Sequence, residues 1–430
     1  MKKIILCILI ILALFFVVSC DKTVNIDEEK EINLSDIYFI RRYDGMNLIG
    51  FSMGIKDKSP VKINPLTQKA SFLCTDPVCN HDDIECPLYN CANFYVTGNY
   101  LFYTKRYHDK NTGQLISTEL GVYDMLNGTV RRLAEYKDEI GLAGATQSYL
   151  YYYIAQIDEE NESSVKYIVN RVDAKTGNII EILLNNSYIA DINIAADYPK
   201  IYTIIENKIY WRITSSDNSG NFYTTDLDGT NEKIFDFIIG KSNDFVSYLT
   251  LGKYDSGYVY HAENNMLANI KTAEDLEVYV KLSSYERELS KRDQRLSRIT
   301  IDGIGEIKLI VESFMDYIPC GDKIYYTVLE ENPEFIEDNG VQTWNWSGGK
   351  IYVMNSDGTK QKLLCETGYN LSSEFIDVKT IDGIDYLAWS FNVVRELMPN
   401  EMGAAAFSFS PDTIIINAST GEYAVVSMPE

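Results

Sequence analysis

Seven times along the chain a short apolar run, rich in tyrosine and β-branched residues, is followed by a polar turn, six times ending at a glycine, and then by another apolar run. The runs are Ile37–Ile40, Leu101–Thr104, Leu150–Ile154, Ile209–Ile213, Tyr258–His261, Ile324–Val328 and Tyr386–Trp389. Their turns are Asn64–Gln68, Asp124–Gly128, Asp173–Gly177, Asp226–Gly229, Ile301–Gly303, Asn355–Gly358 and Asn417–Gly421. Such runs suit half-buried pleated surfaces rather than helices, whose apolar positions recur every three to four residues. Val122-Tyr-Asp-Met-Leu-Asn-Gly-Thr-Val130 shows the unit plainly: an apolar strand, a turn whose glycine accepts positive φ, and a returning strand. Each unit predicts four antiparallel strands, with the turn marking the last hairpin.

The runs begin at 37, 101, 150, 209, 258, 324 and 386, so the intervals range from 49 to 66 residues. Compact repeats of this type need ~40–50 residues, and the excess predicts loop insertions. Residues 36–430 are too many for one ordinary core, but repeat architectures escape that limit because each unit buries its face on its neighbours. The expectation is an all-β, seven-bladed β-propeller over 36–430, with Tyr423–Met428 lying beside the strands near Ile37 to close the ring and remove exposed edges. A non-closed β-solenoid or a pair of β-sandwiches would also give many short strands. Asp173-Ala-Lys-Thr-Gly177 and Asn417-Ala-Ser-Thr-Gly421 resemble quinoprotein-type propeller repeats, and Asp226-Leu-Asp-Gly-Thr-Asn231 and Asn355-Ser-Asp-Gly-Thr-Lys360 resemble TolB-type repeats. The chain lacks the repeated blade tryptophans of quinone-binding propellers, and no quinone is expected.

Ahead of this body, Lys2 and Lys3 precede an apolar run from Ile4 to Val18 that ends in Ser19-Cys20. This is a signal-peptide pattern over residues 1–19, shorter than the ~20 residues of a spanning helix. Val17-Val18-Ser19-Cys20 resembles the lipobox of bacterial lipoproteins, a resemblance that implies lipidation of Cys20 and cleavage before it. Ordinary secretion with Cys20 free is the alternative. Residues 20–35, acidic and poor in apolar side chains, then form a lipidated tether. The expected location is the extracytoplasmic face of the cell membrane, anchored by lipid.

Composition narrows the partners. Tyrosine occurs 32 times in 430 residues, in keeping with a β-rich body. Removing residues 1–19 takes away two lysines and no acids, which moves the net charge from −23 to −25. Such a surface repels nucleic acid, and no nucleic-acid partner is expected.

Three insertions depart from the repeat. Residues 262–294 carry a helical pattern, Val278, Leu282, Tyr285 and Leu289, after a capping sequence Thr272-Ala-Glu-Asp275. A strand over Glu277–Val280 competes with that helix. Residues 330–349 carry Thr343-Trp-Asn-Trp346, where Trp344 and Trp346 would point the same way on an extended segment. They would stack on a ligand or pack beneath a hairpin. Residues 392–411 give no chemical signal.

The densest chemistry is Cys74-Thr-Asp-Pro-Val-Cys79-Asn-His81-Asp-Asp-Ile-Glu-Cys86-Pro-Leu-Tyr-Asn-Cys91. Zinc takes four thiolate or imidazole donors in a tetrahedron, and Pro77 and Pro87 bend the chain around the histidine, so Cys74, Cys79, His81 and Cys86 are the expected ligands of a structural zinc, with Cys91 the spare or the partner of a neighbouring thiol. Two local disulfides are the alternative in an exported protein. The segment resembles a Cys/Pro/Cys/His segment of clostridial-type exported lipoproteins with propeller-like bodies. Cys320 and Cys365 read as buried thiols or one pair.

Catalytic patterns are sparse. His108 lies in a polar loop, His261 ends a strand, and there is no Gly-x-Ser-x-Gly elbow or P-loop. On this ground the chain is expected not to be an enzyme. It is read as a monomeric binding or scaffolding module for protein, peptide or glycan. The alternative is a propeller enzyme of glycan or peptide breakdown, which would need carboxylates converging near a central channel.

Overall fold

The computed structural model describes residues 33–430 except 42–46, 49–58, 77, 80, 82–85, 90, 92, 110, 139, 158–163, 183, 185–188, 192–197, 206, 215–221, 235–252, 265–293, 302–307, 329–333, 339–340, 346–347, 370, 400–404, 428 and 430. Two compact units divide the chain, Met1–Asn33 and Leu34–Glu430. The signal peptide, Cys20, the tether up to residue 32 and the helical pattern at 272–289 lie outside the described residues. Among the described residues no helix is long and apolar enough to cross a membrane.

The body is all-β, and every strand pair is antiparallel. A first sheet of three strands joins Phe39–Arg41, Val61–Asn64 and Lys69–Phe72. A second sheet joins Asn93–Thr97, Tyr100–His108, Leu115–Asp124 and Thr129–Tyr136 in chain order. The third repeats this with Ile140–Ala145, Tyr149–Ile157, Ser164–Asp173 and Ile179–Ile182, and Ile189–Asp191 adds to Ser164–Asp173. The fourth uses Tyr198–Ile205, Lys208–Thr214, Phe222–Asp226 and Lys233–Ile234.

The fifth sheet has seven strands because one of them serves two repeats. Lys308–Cys320 pairs through its first half with Gln294–Thr300 and through its second half with Lys323–Val328. On one side lie Lys253–Asp255 and Tyr258–Asn264, and on the other Lys350–Asn355 and Lys362–Glu366. The last sheet contains Leu371–Ile381, Ile384–Pro399, Ala405–Asn417 and Tyr423–Val426. Its long central pair absorbs the 392–411 insertion as a continuous ribbon.

Six of the seven apolar runs fall on the second strand of a four-strand unit. The exception is Ile37–Ile40, where Leu34–Ile37 forms a single helical turn and the strand begins at Phe39. That turn is fixed from outside, since Asn99 Oδ1 accepts from the Leu34 N–H at 2.7 Å and the Gly98 carbonyl accepts from the Ser35 N–H at 3.1 Å.

Neighbouring sheets pack face to face through these second strands. Leu101 and Tyr103 of the second sheet share a core with Leu73 and Met125, while Phe102, on the opposite face of the same strand, joins Ile140, Leu150 and Tyr152 of the third. Tyr151 and Val169 meet Ile209 and Trp211 of the fourth, and Tyr325 and Ile351 meet Leu387 and Trp389 of the last. Trp211 and Trp389 are fully buried. Each takes roughly 150–250 Å² out of water, about 4–6 kcal/mol of transfer free energy at ~25 cal/mol/Å².

The last sheet returns to the first: Phe39, Val61 and Ile63 pack on Ala388, Ile415 and Val426. Antiparallel meanders, most of four strands, that pack on one another through these cores, with the last sheet against the first, make a β-propeller-type arrangement. The junction differs from the expected one. Tyr423–Val426 hydrogen-bonds to Ala405–Asn417 and stays in its own sheet, so Val426 reaches Phe39 by packing rather than strand pairing. The strand that crosses is Asn47–Leu48, which pairs with Phe409 and Ser408. Buried Arg41 ties the junction further, its Nη1 donating to Thr413 Oγ1 at 2.7 Å and Ser390 Oγ at 3.3 Å.

The turn glycines belong to the packing. At Gly358 and Gly421 φ is +87° and +76°, and a Cβ there would meet the Ile310 and Leu364 carbonyl oxygens at 2.8 and 2.5 Å. Each turn is thus pressed against the strand before it in the ring, and only glycine satisfies both the dihedral and the approach.

Candidate functional site

The segment after Lys69–Phe72 does not start another strand. Leu73 N–H donates to the Pro60 carbonyl at 2.7 Å, turning the chain back along the first sheet. Asp76 then builds a tight turn: its Oδ1 accepts from the Val78 N–H at 3.0 Å and its carbonyl from the Cys79 N–H at 3.2 Å. His81 adopts the left-handed region at φ 63°, which reverses the chain again, and its carbonyl accepts from the Ser59 N–H at 3.0 Å. A further turn closes where Tyr89 N–H donates to the Cys86 carbonyl at 3.0 Å.

These reversals bring the predicted residues together. One donor atom each from Cys74, Cys79, His81 and Cys86 lies within 4.8 Å of the others. The His81 N–H donates to Cys79 Sγ at 3.4 Å, and Cys86 Sγ stands 4.0 Å from His81 Nδ1. The Phe72 ring, 4.5 Å from the imidazole and tilted 31°, holds it from outside. Cys74 and Cys86 are buried, Cys79 and His81 half-buried. Cys91 is buried too, packed in the core with Leu88 and Tyr103 and outside the four-residue set. No disulfide joins any two of the six described cysteines.

Burial pushes the Cys86 thiol up to about 12, with Cys79 and Cys74 adding to it. Cys74 is raised as well, by burial first. Burial makes the Cys74 and Cys86 thiols resist ionisation, and a bound divalent ion reverses that balance by coordinating the thiolates. A zinc tetrahedron with Zn–S of about 2.3 Å has donor separations near 3.8 Å, a contraction of about 1 Å from the widest separation here. Three thiolates and one imidazole suit zinc in number and softness.

A second polar cluster was not legible in the sequence. Lys253 Nζ donates to the Tyr317 carbonyl at 2.5 Å and stands 4.9 Å from that residue's ring centre. Burial lowers its pKa, and the charges of Asp316 and Asp377 oppose the shift. Asp377 Oδ2 also accepts from Lys379 Nζ at 2.9 Å. The three residues come from Lys253–Asp255, Lys308–Cys320 and Leu371–Ile381, strands distant in sequence.

The remaining candidates separate. Trp344 sits on Val341–Asn345, opposite Phe335 of Glu334–Asp338, and Trp346 lies outside the described residues. His108 is exposed, with Nδ1 3.2 Å from the Gly113 carbonyl, and His261 is buried. Cys320 and Cys365 share the apolar core between the fifth and last sheets.

No family model matches the chain, and no curated protein does. Similar solved structures include an oligogalacturonate lyase in complex with manganese, 12% identical over 82% of each chain with a TM-score of 0.36. The β-propeller domain of the Trilobed protease from Pyrococcus furiosus is 11% identical over 90% of this chain and 95% of that one, with a TM-score of 0.42. A TolB from Agrobacterium tumefaciens is 9% identical over 73% of this chain and 89% of that one, with a TM-score of 0.32. The expectation that the chain is not an enzyme is corrected here: a lyase and a protease domain stand among the similar structures. Exclusion of catalysis from missing motifs fails for a physical reason, since catalytic groups gathered from distant strands leave no local pattern. At this level of similarity no particular activity is assigned.

Proposed function

We propose that the chain is an exported, lipid-anchored propeller of seven blades, stapled by a structural zinc ion, that engages a glycan, peptide or protein outside the cell membrane. One observation carries the zinc assignment: three cysteines and a histidine, spread over 13 residues, converge within 4.8 Å. Four protein donors leave no open position, so the ion's role is to fix the loop. The blade count is supported by the seven apolar runs, two of which lie in the seven-stranded sheet where Lys308–Cys320 joins two units. Export is supported by Lys2, Lys3, the run Ile4–Val18 and Ser19-Cys20. Cys20→Ser should move the protein from the membrane fraction to the soluble one without changing its circular dichroism. Full retention on the membrane would overturn the lipid anchor.

Breakdown of the glycan or peptide is the second reading, favoured by Lys253 with its two neighbouring carboxylates. Burial lowers the pKa of Lys253 while the charges of Asp316 and Asp377 oppose the shift, so three titratable groups from distant strands act on one another there. Product release from oligosaccharides or peptides, abolished by Lys253→Ala in a folded protein, is the expected result. Activity unchanged in that variant would remove this reading.

A further inference from the structure

We propose that the metal loop clamps the first sheet to the second, with Tyr123 as the positioning residue by which the second sheet holds the metal donors in place. The inference rests on the zinc reading above and extends the ion's role from its own loop to the junction between two sheets.

That junction is built unlike the others. Where the second sheet meets the third, strand residues stand on both sides, Phe102, Leu120 and Val122 against Ile140, Leu150 and Tyr152. The fifth and last sheets meet in the same way, through Tyr325, Ile351, Leu387 and Trp389. The first sheet turns its apolar face to the last, through Phe39, Val61 and Ile63. Toward the second sheet its described strands contribute only the half-buried Ile40. In their place the loop supplies buried Leu73, Cys74, Cys86, Leu88 and Cys91. A face made by a loop lacks the ladder of hydrogen bonds that holds a strand. Two residues of this face, Cys74 and Cys86, are donors of the metal site, so an ion there would fix the face itself.

Both sheets grip the same few residues. On the side of the first, the Pro60 carbonyl accepts from the Leu73 N–H at 2.7 Å and the Ser59 N–H donates to the His81 carbonyl at 3.0 Å. On the side of the second, the buried Tyr123 hydroxyl donates to the Leu73 carbonyl at 3.0 Å. A phenol has one proton to give, so the Thr75 hydroxyl, 3.4 Å away, donates to Tyr123. Tyr123 therefore holds both chain neighbours of Cys74. The Asp124–Gly128 turn closes on the same place, where a Cβ at Gly128 would stand 2.5 Å from Thr75 Oγ1. Groups that orient ligands from outside the coordination sphere are typically worth ~10–100-fold in metal affinity. Linkage is reciprocal, so whatever the Tyr123 contact adds to metal binding, the metal adds to that contact.

The experiment titrates metal-free mature protein with zinc against a chromophoric chelator, and maps hydrogen exchange with and without zinc. Tyr123→Phe keeps the ring in the core and removes the hydroxyl, and it should weaken zinc binding ~10–100-fold. Tyr103→Phe is the matched control, because Tyr103 is buried in the same core but its hydroxyl lies beside Gly121 and Glu119 of the second sheet. It should lower stability to urea and leave zinc affinity unchanged. Removing zinc from the wild type should speed exchange in the Asp124–Gly128 turn as well as in the loop, while the equivalent Asp173–Gly177 turn stays as it was. This last comparison needs no variant to fold. Equal zinc affinities in the two tyrosine variants would overturn the role of Tyr123, and exchange changes confined to the loop would overturn the clamp; either result leaves the zinc site standing. Wild-type protein that binds no zinc would overturn both the site and the clamp.

Discussion

Cys86→Ser tests the metal staple most directly, because Cys86 is fully buried and contributes one of the four converging donors. A serine hydroxyl stays protonated at neutral pH and is a poor zinc ligand, so the variant should lose the ion. Two forces hold the loop. Leu73 and Leu88 are buried in the core beside Leu101 and Tyr123, about 1.5–3 kcal/mol each, or roughly 3–6 kcal/mol together. A bound ion adds about 4.1 kcal/mol when free zinc is ~1,000 times its dissociation constant. The two contributions are of similar size, so loss of the ion should loosen the loop while the sheets stay folded. Native mass spectrometry of protein purified without added metal should show one zinc per chain, and thiol labelling of Cys74, Cys79 and Cys86 should be slow until a chelator is added. Cys86→Ser should carry no zinc and label rapidly at Cys74 and Cys79. Cys365→Ser, altered in the distant core between the fifth and last sheets, should keep the ion. Wild-type protein with no metal and every loop thiol free after denaturation would refute the reasoning, and so would two disulfides within 74–91.

Three further outcomes follow from the packing. Asp385 accepts from Tyr325 at 2.5 Å and Thr380 at 2.8 Å and pairs with Lys323 at 3.3 Å. Burial works against its charge, but these partners outweigh burial and hold its pKa below the usual carboxylate value. Its stabilising contribution is therefore present above about pH 4 and fades as pH falls through the lower folded value; Asp385→Asn should cost ~1–3 kcal/mol at pH 7 and flatten the acid limb of a urea-denaturation series. Gly383 and Gly421 have nearly equal φ, 77° and 76°, but only Gly421 faces a carbonyl. Alanine at 383 should cost roughly 1–2 kcal/mol for the dihedral, and alanine at 421 a further ~1–3 kcal/mol for crowding; equal thermal shifts would remove the packing role of the turn. Arg41→Ala should destabilise the chain by about 1.5–3 kcal/mol and speed hydrogen exchange in Phe39–Arg41 and Ala405–Asn417, since it severs the bonds between first and last sheets.

What the sequence could disclose depended on how each residue is covered. The second strand of a sheet is covered on both faces by its neighbours, so Leu101-Phe-Tyr-Thr104 is buried at every position and reads as an unbroken apolar run. Outer strands such as Ile179–Ile182 and Lys362–Glu366 are largely exposed, and their short apolar runs were legible only because each follows a glycine turn. The fusion of two units through Lys308–Cys320 escaped for a related reason: a single long apolar strand has the same signature whether its halves serve one sheet or two. The Cys/His site was legible because its four donors follow one another within a loop, so order in sequence and order in space coincide. Lys253, Asp316 and Asp377 stand about 60 residues apart, each an ordinary charge on its own strand, and only the side-by-side placement of three sheet segments makes them a cluster. Chemistry carried by a loop survives translation into sequence, whereas a cluster gathered from distant strands exists only after the sheets have come together, and that difference is why missing motifs are no ground for excluding catalysis.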